Sequence, residues 1–238
     1  MKTSLYALIA YILFVMPACY GGFLGDLLKD TGIVKEQGLD NSTVISGLKE
    51  ALSVGTENAV KEVSKTDGYL ANDAIKILMP EKIQMVADVL RKVGYQEQVD
   101  NFITSMNRAA ETAAPKAANH FVDAIQEMSF DDAQSILNGD DTSATDYFKS
   151  KTSGMLYDEF KPIIASSMNS VGATRSYKEM MGTYTSLPFM KDTPFDLDHY
   201  VTGKALEGLF YVMAQEEKKI RTDPAARVTD LLQKVFRK

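Results

Sequence analysis

One stretch of this chain contains an arginine and a carboxylate close together. Such a pair can bind a charged group or take part in proton transfer. In Asn107–Glu111, Arg108 and Glu111 are three residues apart, so a helix would place both side chains on one face. The alanines around them let a neighbouring helix approach closely, and a charge buried there must be paired. We interpret Asn107, Arg108 and Glu111 as a candidate polar cluster. We expect a structural ion pair rather than a catalytic one.

A second charged run, Glu216–Arg221, contains the candidate ion pair Glu217 and Arg221, four residues apart. Runs of this kind usually form a solvated helix face with weak pairs, and we expect that here. Glu216 and Glu217 point about 100° apart on a helix. They therefore do not form an acid–base pair by themselves.

The two histidines lack the spacing of known metal sites. His120 can pair with Asp123 on one helix face, and His199 lies beside Asp196 and Asp198. A catalytic zinc site needs about three well-placed ligands, and neither cluster has a recognised spacing. The sequence also contains no phosphate-binding loop, nucleophile elbow or dinucleotide fingerprint. We therefore predict no metal, no cofactor and no catalytic residue that can be named from a motif.

The first residues resemble an export signal that ends on the only cysteine. Lys2 precedes a twelve-residue apolar run, Leu5–Met16, which is too short to span a bilayer of about 30 Å. A lone cysteine cannot form an internal disulfide, so we expect Cys19 to be lipidated. Cleavage of a plain signal nearby, for example after Gly21, is the alternative. We predict a signal peptide at 1–18, a tether at 19–40 and a folded domain at 41–238.

The composition is that of an acidic globular protein. There are 32 Asp and Glu against 26 Lys and Arg, for a net charge of −6. This surplus repels phosphate backbones, so nucleic acid is a poor partner. With 45% hydrophobic and 24% charged residues, the chain is ordinary for a folded domain.

The folded part is predicted to be all-α, a single multi-helix domain of about seven to nine helices. The apolar spacing is helical throughout, and Ile77–Met79 is the only strand-like run. Two long helices contain Pro115 and Pro162, where we expect kinks. The predicted helices cover approximately residues 41–65, 80–93, 96–128, 130–138, 141–171, 174–184, 198–221 and 225–236.

Eleven short strings, read together, resemble one family. They are Gly47–Leu52, Asp67–Leu70, Asn107–Glu111, Phe130–Ala133, Ile136–Gly139, Ala144–Phe148, Phe160–Ile163, Tyr200–Thr202, Gly208–Phe210, Glu216–Arg221 and Asp223–Arg227. The chain resembles the bacterial domain-of-unknown-function family 4197 from about Gly47 to its C-terminus. The resemblance implies an exported helical protein, often with a signal or lipoprotein leader. It implies no activity, so no functional residue is carried over.

Three functions remain open at this stage, and we expect the first. It is a non-enzymatic envelope lipoprotein in the periplasm, anchored to the outer membrane through Cys19 and acting through contacts with another envelope protein. The second is a helical carrier or sensor of an apolar ligand, since 12 Met, 11 Phe and 11 Tyr could line a pocket. The third is a hydrolase that uses Glu111, Asp131 or Glu217 with Arg108.

Overall fold

The structure, a computed structural model, describes residues 41–170, 172–187, 195–227, 229, 230 and 233 of the chain. The predicted leader, Cys19 and the tether lie outside the described residues. So do most of the predicted final helix and its apolar positions Val228, Leu231, Leu232 and Val235.

The described part of the chain is helical and contains no strand, as the sequence predicts. It belongs to one compact unit, Asn41–Lys238. The helices are α1 (Asn41–Ser64), α2 (Glu81–Lys92), α3 (Gln96–Ala113), a 3₁₀ helix (Ala114–Lys116), α4 (Ala117–Glu127), α5 (Phe130–Asn138), α6 (Ser143–Ser170), α7 (Ala173–Thr185), α8 (Leu197–Thr222) and a second 3₁₀ helix (Pro224–Ala226).

Local sequence signals explain several helix ends. Ser129 and Asp132 form a reciprocal capping box at the start of α5, which satisfies two backbone N–H groups that have no partner within the helix. Gly94 ends α2 with a φ of +95°, a conformation that costs glycine little. The N–H of Tyr95 then bonds to the carbonyl of Leu90 at 2.8 Å, which completes the termination motif.

The two internal prolines behave differently. The predicted kink at Pro115 takes the form of a 3₁₀ turn that separates α3 from α4, because proline has no N–H to bond to the carbonyl of Glu111. By contrast, α6 continues without a break through Pro162. It ends at Ser170, two residues before Gly172, which has a φ of +85°.

The core lies where the long helices meet. Helix α8 packs against α1 and α6, and α3 packs against α6 and α7. Three fully or nearly buried rings connect α4, α6 and α8, with Phe121 centred 5.4 Å from Phe148 and 6.3 Å from Phe210. Among the described helices, none is both long enough and apolar enough to cross a bilayer.

Candidate functional site

Asn107 is fully buried on α3, where its amide contacts the strand-like run predicted at Ile77–Met79. The Ile77 N–H donates to Oδ1 at 2.8 Å, and Nδ2 donates to the Ile77 carbonyl at 2.9 Å. Nδ2 also donates to the carbonyl of Ile103 at 2.8 Å. The Asn107 side chain therefore satisfies both the backbone N–H and the backbone carbonyl of Ile77.

Glu111 is 5% exposed and forms the predicted pair with Arg108. Its Oε2 accepts from Arg108 Nη1 at 2.7 Å, while Oε1 accepts from the backbone N–H groups of Tyr69 at 3.1 Å and Leu70 at 3.3 Å. Arg108 also donates to Asp67 at 2.6 Å. The hydrogen bond to Glu111 raises the pKa of the arginine, so its charge is secure.

The turn at Tyr69 and Leu70, whose N–H groups donate to Glu111, also contacts the core through the Tyr69 side chain. Tyr69 is fully buried, and its hydroxyl donates to the carbonyl of Ala205 on α8 at 2.6 Å. Burial and the nearby charge of Glu111 raise the pKa of the Tyr69 phenol well above its usual range. Asn107, Arg108 and Glu111 thus fix the segment between α1 and α2 onto α3, and that segment contacts α8.

Glu217 forms a second cluster of the same kind. Its Oε1 accepts from the backbone N–H of Ala144 at 2.9 Å, and Oε2 accepts from the backbone N–H and the hydroxyl of Thr145 at 2.8 and 2.9 Å. Arg221 donates to Oε1 from Nε at 3.0 Å and from Nη2 at 2.8 Å. Its Nη2 also reaches the carbonyl of Ile136 at 2.8 Å.

The prediction of a solvated helix face is therefore wrong for Glu217 and Arg221. Glu217 is 9% exposed, although Lys218 and Lys219 of the same run are exposed. The N-terminus of α6 is capped by this distant carboxylate, which accepts from the backbone N–H groups of Ala144 and Thr145. One signal was available, since Glu217 lies between Met213 and Ile220 on the apolar stripe of α8.

A small apolar pocket lies beside this second cluster, between α1, α5, α6 and α8. Its volume is about 30 Å³, and nearly all of its accessible wall is apolar. Glu217 and Arg221 border it, but their hydrogen bonds to each other and to α6 leave little polar surface exposed there. The apolar lining includes Leu48, Ala51, Gly55, Ile136, Phe148 and Ile220.

The rings of the two histidines contact residues that the sequence did not indicate, Glu159 and Tyr157. His120 contacts Glu159 of α6, not Asp123. The His199 backbone N–H donates to Asp196 at 2.9 Å, and this hydrogen bond caps α8. The Nδ1 atom of the His199 ring lies 2.5 Å from the Tyr157 hydroxyl. Among the described residues, no group of three His, Cys, Asp or Glu side chains could hold a metal ion.

A wider groove of about 310 Å³ follows the first turns of α8. It mixes two aromatic rings with charged side chains, and Lys204 is already paired with Glu207 at 2.5 Å. The residues that line it are Phe195, Asp196, His199, Tyr200, Gly203, Lys204 and Glu207. Such a lining does not favour a purely apolar ligand.

Comparison with known proteins gives a family but no characterised relative. No curated protein and no solved structure matches the chain. A family model described as "Protein of unknown function (DUF4197)" matches residues 38–237, which is most of the chain and agrees with the resemblance seen in the short strings. The chain therefore belongs to the DUF4197 family.

Proposed function

We propose that this protein works by binding another protein at the bacterial cell envelope, without turnover. The observation that carries the proposal is the apolar pocket, whose neighbouring polar groups are already hydrogen-bonded within the protein. A pocket of about 30 Å³ has room for the end of one aliphatic side chain. Buried apolar anchors of this kind contribute strongly to protein interfaces.

The hydrogen bonding of the candidate carboxylates argues against the hydrolase. A general base needs an oxygen within reach of the proton that it removes. Glu111 and Glu217 each use both oxygens for an arginine or backbone N–H groups. Asp131 is exposed in the first turn of α5, and of the three only Glu217 borders the pocket.

The size of the pocket argues against a carrier of an apolar ligand. Sites for small molecules usually hold about 300–1,000 Å³, roughly ten times this volume or more. The groove along α8 has about 310 Å³, but charged side chains form much of its lining. Contact with a protein side chain therefore fits the geometry better than enclosure of a lipid.

The location of the protein in the cell is part of the same proposal, and it is supported by the sequence pattern alone. A short positive region and the apolar run Leu5–Met16 lead to Cys19. Lipidation of this cysteine would keep the folded domain at the membrane, and we propose the periplasmic face of the outer membrane. The tether at 19–40 would then separate the anchor from the binding surface.

Gly55 offers a direct test of the pocket. A Cβ built there lies 3.4 Å from Ile220 Cδ1, an ordinary contact, so Gly55→Lys extends a charged side chain at the apolar wall. Lysine is a better helix former than glycine by up to about 1 kcal/mol, so the fold should survive. The matched control is Gly154→Lys on α6, where a built Cβ meets nothing within 4 Å.

The measurement is chemical cross-linking in living cells, followed by purification of the protein and mass spectrometry. We expect a specific cross-linked protein with wild type and with Gly154→Lys, and its loss with Gly55→Lys. Equal cross-linking by both variants would contradict the role of the pocket. Hydrolysis of an ester, phosphate, glycoside or peptide substrate by the purified protein, lost in Glu217→Gln, would contradict the non-enzymatic function.

A further inference from the structure

The groove along the first turns of α8 is much larger than the apolar pocket, and one of the residues that line it is a glycine. Its volume of about 310 Å³ is at the lower end of the range for small-molecule sites, so it can hold a whole long side chain. A Cβ built on Gly203 meets none of the described residues within 4 Å. The groove is therefore open space beside the backbone of α8.

Two aromatic rings form part of the wall of this groove. Phe195 and Tyr200 are half-buried, with ring centroids 5.5 Å apart and ring planes inclined by 64°. The Tyr200 hydroxyl donates to the carbonyl of Leu78 at 3.1 Å, which orients this ring. Because the rings meet edge to face, they do not stack over each other, and the face of an aromatic ring attracts a positive charge.

Four carboxylates and two lysines line the groove or interact with residues that line it. The carboxylates are Glu81, Asp196, Asp198 and Glu207, and the lysines are Lys161 and Lys204. Both lysines are already paired, Lys204 with Glu207 at 2.5 Å and Lys161 with Asp196 at 3.8 Å. Neither Asp198 nor Glu81 forms an ion pair with another described residue. The described side chains therefore give the groove a surplus of negative charge.

The surplus affects Asp198 directly. Burial first, and the charge of Asp196 second, raise the pKa of this carboxyl, and Lys161 lowers it by less. A helix N-terminus favours an anion, but Asp196 already caps α8 by accepting from the His199 N–H, and Asp198 occupies the first turn. A cation bound here would compensate the negative charge that the protein leaves in place.

We propose that the groove along α8 binds an arginine side chain of a partner protein, with the guanidinium between the carboxylates and the rings of Phe195 and Tyr200. Arginine fits both parts of this wall, because its planar group pairs with carboxylates and stacks on aromatic faces. It is also among the residues that contribute most to protein interfaces. The assignment to a partner protein rests on the proposed function, whereas the preference of the groove for this cation does not.

Titration of the full chain with short peptides tests the preference for the cation. The probe is acetyl-Gly-Arg-Gly-amide, compared with the analogues in which uncharged citrulline or glutamate replaces arginine. We expect saturable NMR shifts of the Lys204 and Glu207 amides with the arginine peptide alone, and weaker binding as salt is added. Gly203→Leu fills the groove and should abolish the shifts. Gly182→Leu on α7, where a built Cβ also meets none of the described residues within 4 Å, is the control.

The double variant Glu81→Gln/Asp198→Asn tests the charge with little change of shape. It should weaken binding of the arginine peptide about three- to tenfold, since each exposed charge pair contributes about 0–1 kcal/mol. The control Glu127→Gln/Asp131→Asn removes the same charge from exposed positions around the start of α5 and should leave the affinity unchanged.

The outcomes separate the cation site from the partner. Equal shifts with the citrulline peptide, stronger shifts with the glutamate peptide, or no shift with the arginine peptide would overturn the cation site. Unchanged affinity in the double variant would also overturn it. If the arginine peptide binds, Gly203→Leu should reduce cross-linking of the partner in cells. Cross-linking that is lost in Gly55→Lys but retained in Gly203→Leu would contradict the use of the groove by that partner and leave the proposed function in place.

Discussion

Glu111 and Glu217 are buried in similar surroundings, and each is compensated by groups of the same kind. Each is a buried carboxylate that shares a helix with its arginine, and each accepts from backbone N–H groups of a segment far away in sequence. Removing a charge from water is costly unless ion pairing and hydrogen bonds compensate for it. Both carboxylates are paired with an arginine and accept from backbone N–H groups, so each holds a distant segment against its own helix.

Replacement of Glu111 by Gln should destabilise the fold strongly. The new side chain would carry no charge for Arg108 and would turn an amide toward backbone donors. Hydrogen bonds to charged groups contribute about 1.5–3 kcal/mol, so we expect a loss of about 2–3 kcal/mol in the free energy of unfolding by urea. The control Asp67→Asn changes the half-exposed partner of the same arginine and should cost about 0–1 kcal/mol. Equal costs would contradict the buried role of Glu111.

Tyr69 should make the folded protein less stable at alkaline pH. Its pKa is raised by burial first and by Glu111 second, so the folded state keeps a proton that the unfolded state loses. The corresponding stability is complete below the unfolded pKa of about 10 and falls as the pH rises above it.

In Tyr69→Phe, the free energy of unfolding should decrease less between about pH 9 and pH 11 than in wild type. At neutral pH the variant should lose about 1 kcal/mol, because the hydrogen bond to the Ala205 carbonyl is missing. Urea titrations at several pH values measure both effects. Tyr211→Phe, on an exposed ring, is the control, and the same flattening in this control would contradict the assignment.

At the scale of the helices, the sequence predicts what is decided locally. The apolar spacing lies within the helices, and Gly94 and Gly172 lie beside the helices that they delimit, so the bounds of those helices follow from short stretches of sequence. The start of α6 depends on Glu217, more than 70 residues away, and Ile77 depends on Asn107, 30 residues away. Such partners are determined by packing, which no local pattern contains.

Glu217 should therefore be essential for the start of α6, although it belongs to α8. In Glu217→Gln, Arg221 becomes a buried charge without its carboxylate, and breaking such a pair costs about 3–5 kcal/mol. We expect this loss in urea unfolding, together with faster hydrogen exchange at the amides of Ala144 and Thr145.

The adjacent carboxylate provides the matched control for that experiment. The Glu216 side chain is only 16% exposed, but it accepts from the side chains of Asn58 and Lys219 and not from the start of α6, and Lys219 is exposed. Glu216→Gln should therefore cost about 1 kcal/mol and leave the exchange of α6 unchanged. Similar costs for the two neighbours would show that the hydrogen bonds at Ala144 and Thr145 contribute little.

For the whole molecule, α8 connects segments that are distant along the chain. Tyr69 reaches its Ala205 carbonyl, Tyr200 reaches the carbonyl of Leu78 at 3.1 Å, and Arg221 reaches the carbonyl of Ile136. Changes in α8 should consequently affect the segment before α2 and the end of α5 together. A body held in this way can present the pocket in a fixed shape, which lowers the entropic cost of binding.

The proposed lipid anchor at Cys19 predicts where the folded domain is found in the cell. A lipidated cysteine carries several acyl chains, and each buried CH₂ contributes about 0.8 kcal/mol, so attachment should be stable. Cys19→Ala should move the protein from the membrane fraction to the soluble fraction and change its processed mass. The control Tyr20→Ala, at the next residue, should stay with the membrane. A wild-type mature N-terminus that lies beyond Cys19 and carries no lipid would contradict the anchor, while leaving the pocket and its tests unaffected.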